Sequence, residues 1–136
     1  ESEGCPVDVY GDASWKSQET PAVRYRGILD YGDVGSVFSK YRYVLNPQPP
    51  QTRNGSHERV MDAISAGTLP ITLTNEFYRN EFGGCIVHLK CADDSITVNL
   101  AAESDYDARL AEAMEVVRKK HTWDVRAKFL IERFCL

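Results

Sequence analysis

The chain has 136 residues, of which 43% are hydrophobic and 26% are charged, and its formal net charge is -4. These values predict one domain, residues 1–136, with a hydrophobic core of its own. The acidic balance disfavours nucleic-acid binding, because clustered Lys and Arg hold phosphate backbones. No apolar stretch approaches the roughly 20 residues that span a bilayer, and no secretory signal opens the chain, so we expect a cytoplasmic protein without a transmembrane segment.

The four cysteines are spread along the chain without the close spacing of metal ligands. A domain of this size with an adequate core does not need a disulfide framework. We therefore expect free, buried thiols and no zinc site. The cysteines are Cys5, Cys85, Cys91 and Cys135.

Strands and helices are predicted to alternate along the chain. Five short alternating or apolar segments, each followed by turn residues, predict strands. Apolar residues at helical spacing, with capping residues in front and glycines behind, predict the helices. The polar residues 12–21 are expected to form a loop. The predicted strands are residues 6–10, 23–26, 43–45, 69–73 and 86–89, and the predicted helices lie within residues 33–41, 55–67, 74–84 and about 104–134.

This order predicts an α/β fold, a three-layer Rossmann-like domain with a mainly parallel sheet covered on both faces. Residues 93–103 alternate like a strand but lie between predicted helices, and we expect a helix there. Two apolar stripes in the carboxyl-terminal helices indicate core or packing faces. Their members are Leu110, Ala113, Met114 and Val117, then Trp123, Ala127, Leu130 and Phe134.

The most informative segment runs from Gly55 to Gly67 and leads into the apolar residues 69–73. Polar residues at its start and the glycine at its end predict a short capped helix before a buried strand. The backbone amides of its first turn are expected to be free, which suits an anion such as a diphosphate. Glu58 and Asp62 are four residues apart and share one face. The proline-rich loop 47–55 before it follows a predicted strand, and in open α/β sheets this edge binds ligands.

Several side chains of this helix have two possible roles. His57 is a proton donor or hydrogen-bond partner for a phosphate, or only a polar residue at the helix start. Glu58 either contacts a ligand or simply provides the negative charge that a helix start favours. Arg59 either bridges phosphate oxygens or pairs with Asp62 or Glu58 on the helix surface. His88 and His121 are assigned to structure.

Four motifs together resemble a known family. They are Tyr25-Arg26-Gly27 before the helix led by Asp33, Val44-Leu45-Asn46-Pro47, the block from Gly55 to Asn75, and His121-Thr122-Trp123 with Arg126. With them the sequence resembles the carboxyl-terminal, nucleotide-sugar-binding lobe of a group 1 glycosyltransferase of the two-lobed GT-B architecture. The nearest branch is the spore-maturation-protein-like glycosyltransferases, and the resemblance covers roughly residues 6–134.

The resemblance implies that the chain binds a nucleoside-diphosphate sugar as the donor substrate, without a cofactor or a metal. The base is expected near Gly27 and Ile28, the diphosphate near Gly55 and Ser56, and the ribose near Asp62. The candidate donor-binding residues are Gly27, Ile28, Asn46, Gly55, Ser56, His57, Glu58, Arg59 and Asp62.

Two positions depart from the family pattern. In retaining members two glutamates separated by seven residues face the donor, and Asn54 and Asp62 stand at these positions here. An aspartate still accepts hydrogen bonds from ribose hydroxyls. The catalytic residues and the stereochemical outcome therefore stay unassigned. Asp105-Tyr106-Asp107 is similar to the metal-holding aspartates of the other glycosyltransferase fold, but it precedes a periodic helix and is expected to cap that helix.

By the same resemblance, the acceptor and the catalytic base come from an amino-terminal lobe, a partner that this chain lacks. The chain alone should then bind the donor but turn over poorly. An alternative is a non-catalytic, glycosyltransferase-like scaffold or interaction module, which Asn54 favours. A flavodoxin-like or response-regulator-like domain is disfavoured, because the first strand ends in neither an acidic cluster nor a phosphate-binding turn.

Overall fold

The computed structural model describes residues 6–47, 54–89 and 105–134 of the chain. The chain divides into two compact units, residues 1–34 and 35–136. The single domain expected from length stays a prediction. The helix expected within residues 93–103 lies outside the described residues, as do Cys5, Cys91 and Cys135.

The first unit is built on two parallel strands, β1 (Val7–Tyr10) and β2 (Val23–Gly27). The segment between them was expected to be a loop, and this prediction is wrong for Ala13–Gln18, which forms a 3-10 helix. The cause is local, because the Asp12 side chain accepts a hydrogen bond of 2.9 Å from the amide of Ser14 and starts the turn. Such capping needs no apolar face, so hydrophobic periodicity does not reveal it.

The second unit contains a three-stranded parallel sheet in the order β3 (Tyr43–Asn46), β4 (Leu69–Leu73) and β5 (Val87–Leu89). β4 is the central strand, and its first four residues are buried. Because the three strands are parallel, their carboxyl ends lie at one edge of the sheet. The predicted α/β class with parallel, Rossmann-like strand pairing is confirmed, and the five described strands form two sheets.

A second 3-10 helix, Tyr31–Asp33, which contains the expected helix leader Asp33, and five α-helices complete the described structure. α1 ends earlier than predicted, before Tyr41, and α3 begins at the predicted cap, since the Asn75 side chain accepts from the amide of Tyr78 at 2.7 Å. α3 ends at Gly83, whose φ of 50° favours glycine. The helices are α1 (Val34–Phe38), α2 (Glu58–Ser65), α3 (Glu76–Phe82), α4 (Tyr106–Lys120) and α5 (Trp123–Phe134).

The core of the second unit lies where α2, α3 and α4 meet. Val60 and Ile64 of α2 are fully buried and pack with Tyr78 of α3 and Ala113 of α4. Cys85 is a free buried thiol, as predicted, and burial raises its pKa to about 11. The first apolar stripe therefore faces the core, although its Met114 is 43% exposed.

The second apolar stripe lies on α5 and is not part of this core. Trp123 is 82% exposed, Leu130 54% and Phe134 72%. The stripe was expected to be a core or a packing face; it is not a core face in the described structure, in which α5 has no buried residue, and its role as a packing face stays a prediction. Periodicity identifies an apolar helix face, but it does not say what covers that face.

Candidate functional site

The amino end of α2 lies at the carboxyl edge of the parallel sheet. Asn46 is the last residue of β3, and its Oδ1 accepts a hydrogen bond of 3.2 Å from Nη1 of Arg59 in the first turn of α2. Nδ2 of Asn46 donates to Oγ1 of Thr72, near the end of β4, at 3.3 Å. These bonds join the helix start to two neighbouring strand ends. In parallel α/β sheets, this is the edge that positions ligands.

The buried side chain of Asn46 links the first turn of α2 to β4. Its side chain is only 1% exposed, and both the oxygen and the nitrogen of its amide bond to protein groups. Arg59 therefore has a partner that neither of the two roles expected from sequence included. Asn46 orients the guanidinium of Arg59, which keeps further donors for other acceptors.

The segment before α2 is anchored by α3. Nδ2 of Asn75 donates to the carbonyl oxygen of Gly55 at 3.0 Å, and the amide of His57 donates to the hydroxyl of Tyr78 at 2.9 Å. Tyr78 is fully buried, and this burial raises its pKa, while hydrogen bonds to the His57 amide and to the Ser56 side chain act against it. Tyr78 was not among the residues predicted from sequence. Tyr78 and His57 are 21 residues apart in the sequence, and no local spacing pattern predicts a hydrogen bond between them.

His57 caps α2. Its backbone is extended, and its Nδ1 accepts a hydrogen bond of 3.1 Å from the amide of Arg59. This role requires an unprotonated Nδ1, so the ring proton of a neutral His57 is on Nε2. The structure thus gives His57 a structural function at the helix start, one of the two roles considered.

Most first-turn amides of α2 already have acceptors. Those of His57 and Arg59 donate as described, and that of Val60 donates to the carbonyl of His57 at 3.0 Å. The expectation of free amides is therefore wrong for these three. Within the part of the chain that the structure describes, the Glu58 amide has no protein acceptor. An anion at this end would rely mainly on side chains and on the helix dipole.

Glu58 and Asp62 lie one turn apart in α2, as their spacing predicted. Glu58 is exposed, and Asp62 is partly exposed. Burial raises the pKa of Asp62 first, and the Glu58 carboxylate raises it further, while His57 and Arg59 act in the opposite direction. A partly buried carboxylate beside a like charge is unfavourable for stability and is typical of a site that binds something.

Gly27 and Ile28 belong to the first unit. Gly27 ends β2 with a φ of 94°, a conformation that favours glycine, and its carbonyl accepts from the amide of Gly11 at 2.9 Å. Ile28 is 77% exposed. Their expected contact with the base of a nucleotide stays a prediction. The other seven candidates lie in the second unit, in or beside β3 and α2.

The remaining titratable candidates make structural contacts. Nε2 of His88 lies 2.7 Å from the carbonyl oxygen of Gly83. Nε2 of His121 lies 3.2 Å from Glu81, and burial, the largest effect, lowers the pKa of His121. Asp105 occupies the expected N-cap position of α4, but its side chain does not make the capping hydrogen bond to the first turn. In residues 6–47, 54–89 and 105–134, no three His, Cys, Asp or Glu side chains are placed to hold a metal.

The second unit therefore defines a class: a Rossmann-like α/β domain with a polar cluster where a helix begins at the carboxyl edge of a parallel sheet. The model of the family described as "Glycosyl transferase-like" matches residues 1–132. The chain belongs to this glycosyl transferase-like family. Comparisons with curated proteins and with solved structures found no match. No helix in the described ranges combines the length and apolarity needed to cross a membrane.

Proposed function

We propose that this chain is the donor-binding domain of a glycosyltransferase and holds a nucleoside-diphosphate sugar at the amino end of α2. In this proposal it corresponds to the carboxyl-terminal lobe of a GT-B enzyme of the spore-maturation-protein-like branch. The donor is a substrate, and neither a cofactor nor a metal is part of the proposal. A cytoplasmic location belongs to the same proposal.

The observation that carries the proposal is the position of α2. Its first turn is hydrogen-bonded to the end of β3 through Arg59 and Asn46, in a chain that belongs to a glycosyl transferase-like family. A helix start at the carboxyl edge of parallel strands combines a positive dipole end with loops that can close around a ligand. Few surfaces of an α/β domain are better suited to a nucleotide.

The groups around the start of α2 then have distinct roles. Ser56, the Glu58 amide and Arg59 contact the diphosphate, and Asp62 accepts hydrogen bonds from the ribose hydroxyls one turn deeper in the helix. Asn46 and Tyr78 position these groups. The exposed Glu58 carboxylate turns away from the phosphates, since a like charge nearby would oppose binding.

Glycosyl transfer needs an acceptor and a base, and the proposal assigns both to an amino-terminal lobe outside this chain. The isolated chain is then expected to bind donor and to transfer sugar poorly. Adding that lobe should restore transfer without a change in the nucleotide preference of the chain.

Calorimetric titration with uridine, guanosine, adenosine and thymidine diphosphates tests the proposal. We expect one of them to bind, and Asp62→Ala to weaken binding by about 1 to 3 kcal/mol, because a partly buried hydrogen-bond acceptor is lost. Asp124→Ala, which removes an exposed aspartate of α5, is the matched control and should leave the affinity unchanged. Equal affinities of wild type and Asp62→Ala would remove Asp62 from the site.

A second candidate function is a non-catalytic, glycosyltransferase-like scaffold or interaction module. Two observations favour it: Asn54 stands where retaining relatives have a glutamate, and three first-turn amides of α2 are used within the protein. A scaffold should bind none of the nucleoside diphosphates at millimolar concentration. The same titration therefore separates the two functions.

A further inference from the structure

Most of the polar side chains that the described residues bury lie behind the amino end of α2. Thr72 in β4 is fully buried, Asn46 at the end of β3 is 1% exposed, and Asn75 before α3 is 7% exposed. The fully buried Tyr78 adds its hydroxyl to this group, whereas the buried Thr68 lies at the other end of the helix. Buried polar groups cost free energy unless they are hydrogen-bonded, and a cluster of them is typical of a region whose side chains must hold one arrangement.

Thr72 is the residue at which this group is joined. Its Oγ1 accepts a hydrogen bond of 3.3 Å from Nδ2 of Asn46, which leaves the proton of the Thr72 hydroxyl for another acceptor. That acceptor is the hydroxyl of Tyr78. Burial raises the pKa of Tyr78, and a hydrogen bond with the Thr72 side chain is among the contacts that act against it. One buried hydroxyl on the central strand therefore connects Asn46 to Tyr78.

Each branch of this network ends at a group that the proposed site directs at the diphosphate. One branch runs through Asn46, whose Oδ1 accepts a hydrogen bond of 3.2 Å from the guanidinium of Arg59. The other runs through Tyr78, which accepts from the amide of His57 at 2.9 Å and bonds with the Ser56 side chain. Because the network is buried, its hydrogen bonds are stronger than those in water and fix the spacing of the two ends.

We propose that Thr72 is a positioning residue of the donor site, whose hydroxyl fixes Arg59 and Ser56 at the spacing of two linked phosphates. The inference rests on the proposed function, because it assigns a role within the donor site. A diphosphate engages both ends of the network at once, whereas a monophosphate engages one. Thr72 is fully buried, so it favours the diphosphate by holding other residues in place before the ligand arrives.

Thr72→Val tests the inference by calorimetry, because valine has nearly the shape of threonine and lacks the hydroxyl. We expect it to bind the nucleoside diphosphate about tenfold more weakly than wild type does, the effect of one lost hydrogen bond. The corresponding monophosphate should lose less than about threefold, because it uses only one end of the network. Thr72→Ser keeps the hydroxyl and should recover most of the affinity for the diphosphate.

Thr68→Val is the matched control. Thr68 is as buried as Thr72, and its hydroxyl lies 2.7 Å from the carbonyl oxygen of Phe38 and 3.0 Å from that of Tyr41. We expect both valine variants to lose stability in urea denaturation and only Thr72→Val to lose affinity for the diphosphate. This comparison separates positioning of the site from a general loss of stability.

A double-mutant cycle with Arg59→Gln gives a second measurement. When the Thr72 hydroxyl is absent, the guanidinium of Arg59 is already misaligned. Arg59→Gln should therefore weaken diphosphate binding at least about twofold less in Thr72→Val than in wild type. If Thr72→Val does not give a folded protein by circular dichroism, Tyr78→Phe interrupts the same network and should show the same reduced preference for the diphosphate.

Failure of this inference is distinguishable from failure of the proposed function. If wild type binds no nucleoside diphosphate, both are overturned. If wild type binds one and Thr72→Val keeps the wild-type ratio of diphosphate to monophosphate affinity, only the positioning role is overturned. Additive losses in the cycle with Arg59→Gln, or an equal loss of affinity in Thr68→Val, would also overturn that role.

Discussion

Tyr78 and Asn75 hold the segment before α2 in place from the next helix along the chain. The hydroxyl of Tyr78 accepts the His57 amide inside the protein, and Asn75 holds the Gly55 carbonyl. Both side chains are buried. The phosphate-facing segment of the proposed site therefore depends on residues that would not touch the donor.

Tyr78→Phe removes the hydroxyl and keeps the ring. The His57 amide then loses its acceptor, and we expect the free energy of unfolding to fall by about 1 to 3 kcal/mol. Urea denaturation measures this change. Tyr31→Phe, at an exposed tyrosine, should change stability by less than about 0.5 kcal/mol. If Tyr78→Phe lowers the free energy of unfolding as little as Tyr31→Phe does, the hydrogen bond between the His57 amide and the Tyr78 hydroxyl does not stabilise the segment before α2.

The raised pKa of Asp62 predicts that its carboxylate, which the proposed donor site uses for binding, lowers the stability of the fold. Burial and Glu58 raise the pKa of Asp62 above its ordinary value of 3.8, so the ionised form is less favourable in the folded chain than in the unfolded one. Well below its ordinary pKa of 3.8 the group is protonated in both the folded and the unfolded state and has no effect on stability. Compared with wild type, Asp62→Asn should therefore gain free energy of unfolding as the pH rises from below 3.8 through the raised pKa of Asp62. The gain should persist at neutral pH.

Urea denaturation at acidic and neutral pH measures this effect, with Asp124→Asn as the control. Asp124 lies in the first turn of α5, where a negative charge is favourable, so its replacement should give no gain. An Asp62→Asn variant that is less stable at neutral pH would show that the carboxylate stabilises the fold. It would then not be retained for binding at the expense of stability.

At the scale of elements, the segment from β3 to α3 could be predicted from the sequence because its signals are local. Caps, glycine stops and short apolar runs define β4, α2 and α3 within a few residues. The contacts that assemble the site could not be predicted in this way. Arg59 meets Asn46 across 13 residues and Tyr78 meets His57 across 21, and no helix or strand period relates such positions.

The end of α3 offers a test of one such local signal. Gly83 has a φ of 50°, and a Cβ there would meet no atom within 4 Å, so strain in the backbone is the only cost of Gly83→Ala. We expect a loss of about 1 to 3 kcal/mol in the free energy of unfolding, because side chains with a Cβ rarely adopt this backbone conformation. Gly84→Ala is the matched control, since Gly84 has no such φ and also has open space. The free energy of unfolding of Gly84→Ala should stay within about 0.5 kcal/mol of wild type. Equal losses in the two variants would show that the φ of Gly83 is not the cause of the cost.

At the scale of the whole molecule, the chain has two features of different kinds. One is the polar cluster at the start of α2, and the other is the exposed apolar face of α5. The α/β class could be predicted because strand and helix signals alternate along the chain. The exposure of α5 could not, because apolar spacing is the same for a core helix and for one that meets a partner. Membership in a glycosyl transferase-like family gives the α2 edge its proposed ligand.

The most direct measurement of the central claim is the change in backbone amide NMR shifts when the nucleoside diphosphate that binds in calorimetry is added. We predict the largest shifts at Ser56, Glu58 and Asp62, with Asp124 in α5 unaffected. Shifts that are absent at millimolar nucleotide, or confined to residues away from the start of α2, would contradict the assignment of this edge as the donor site.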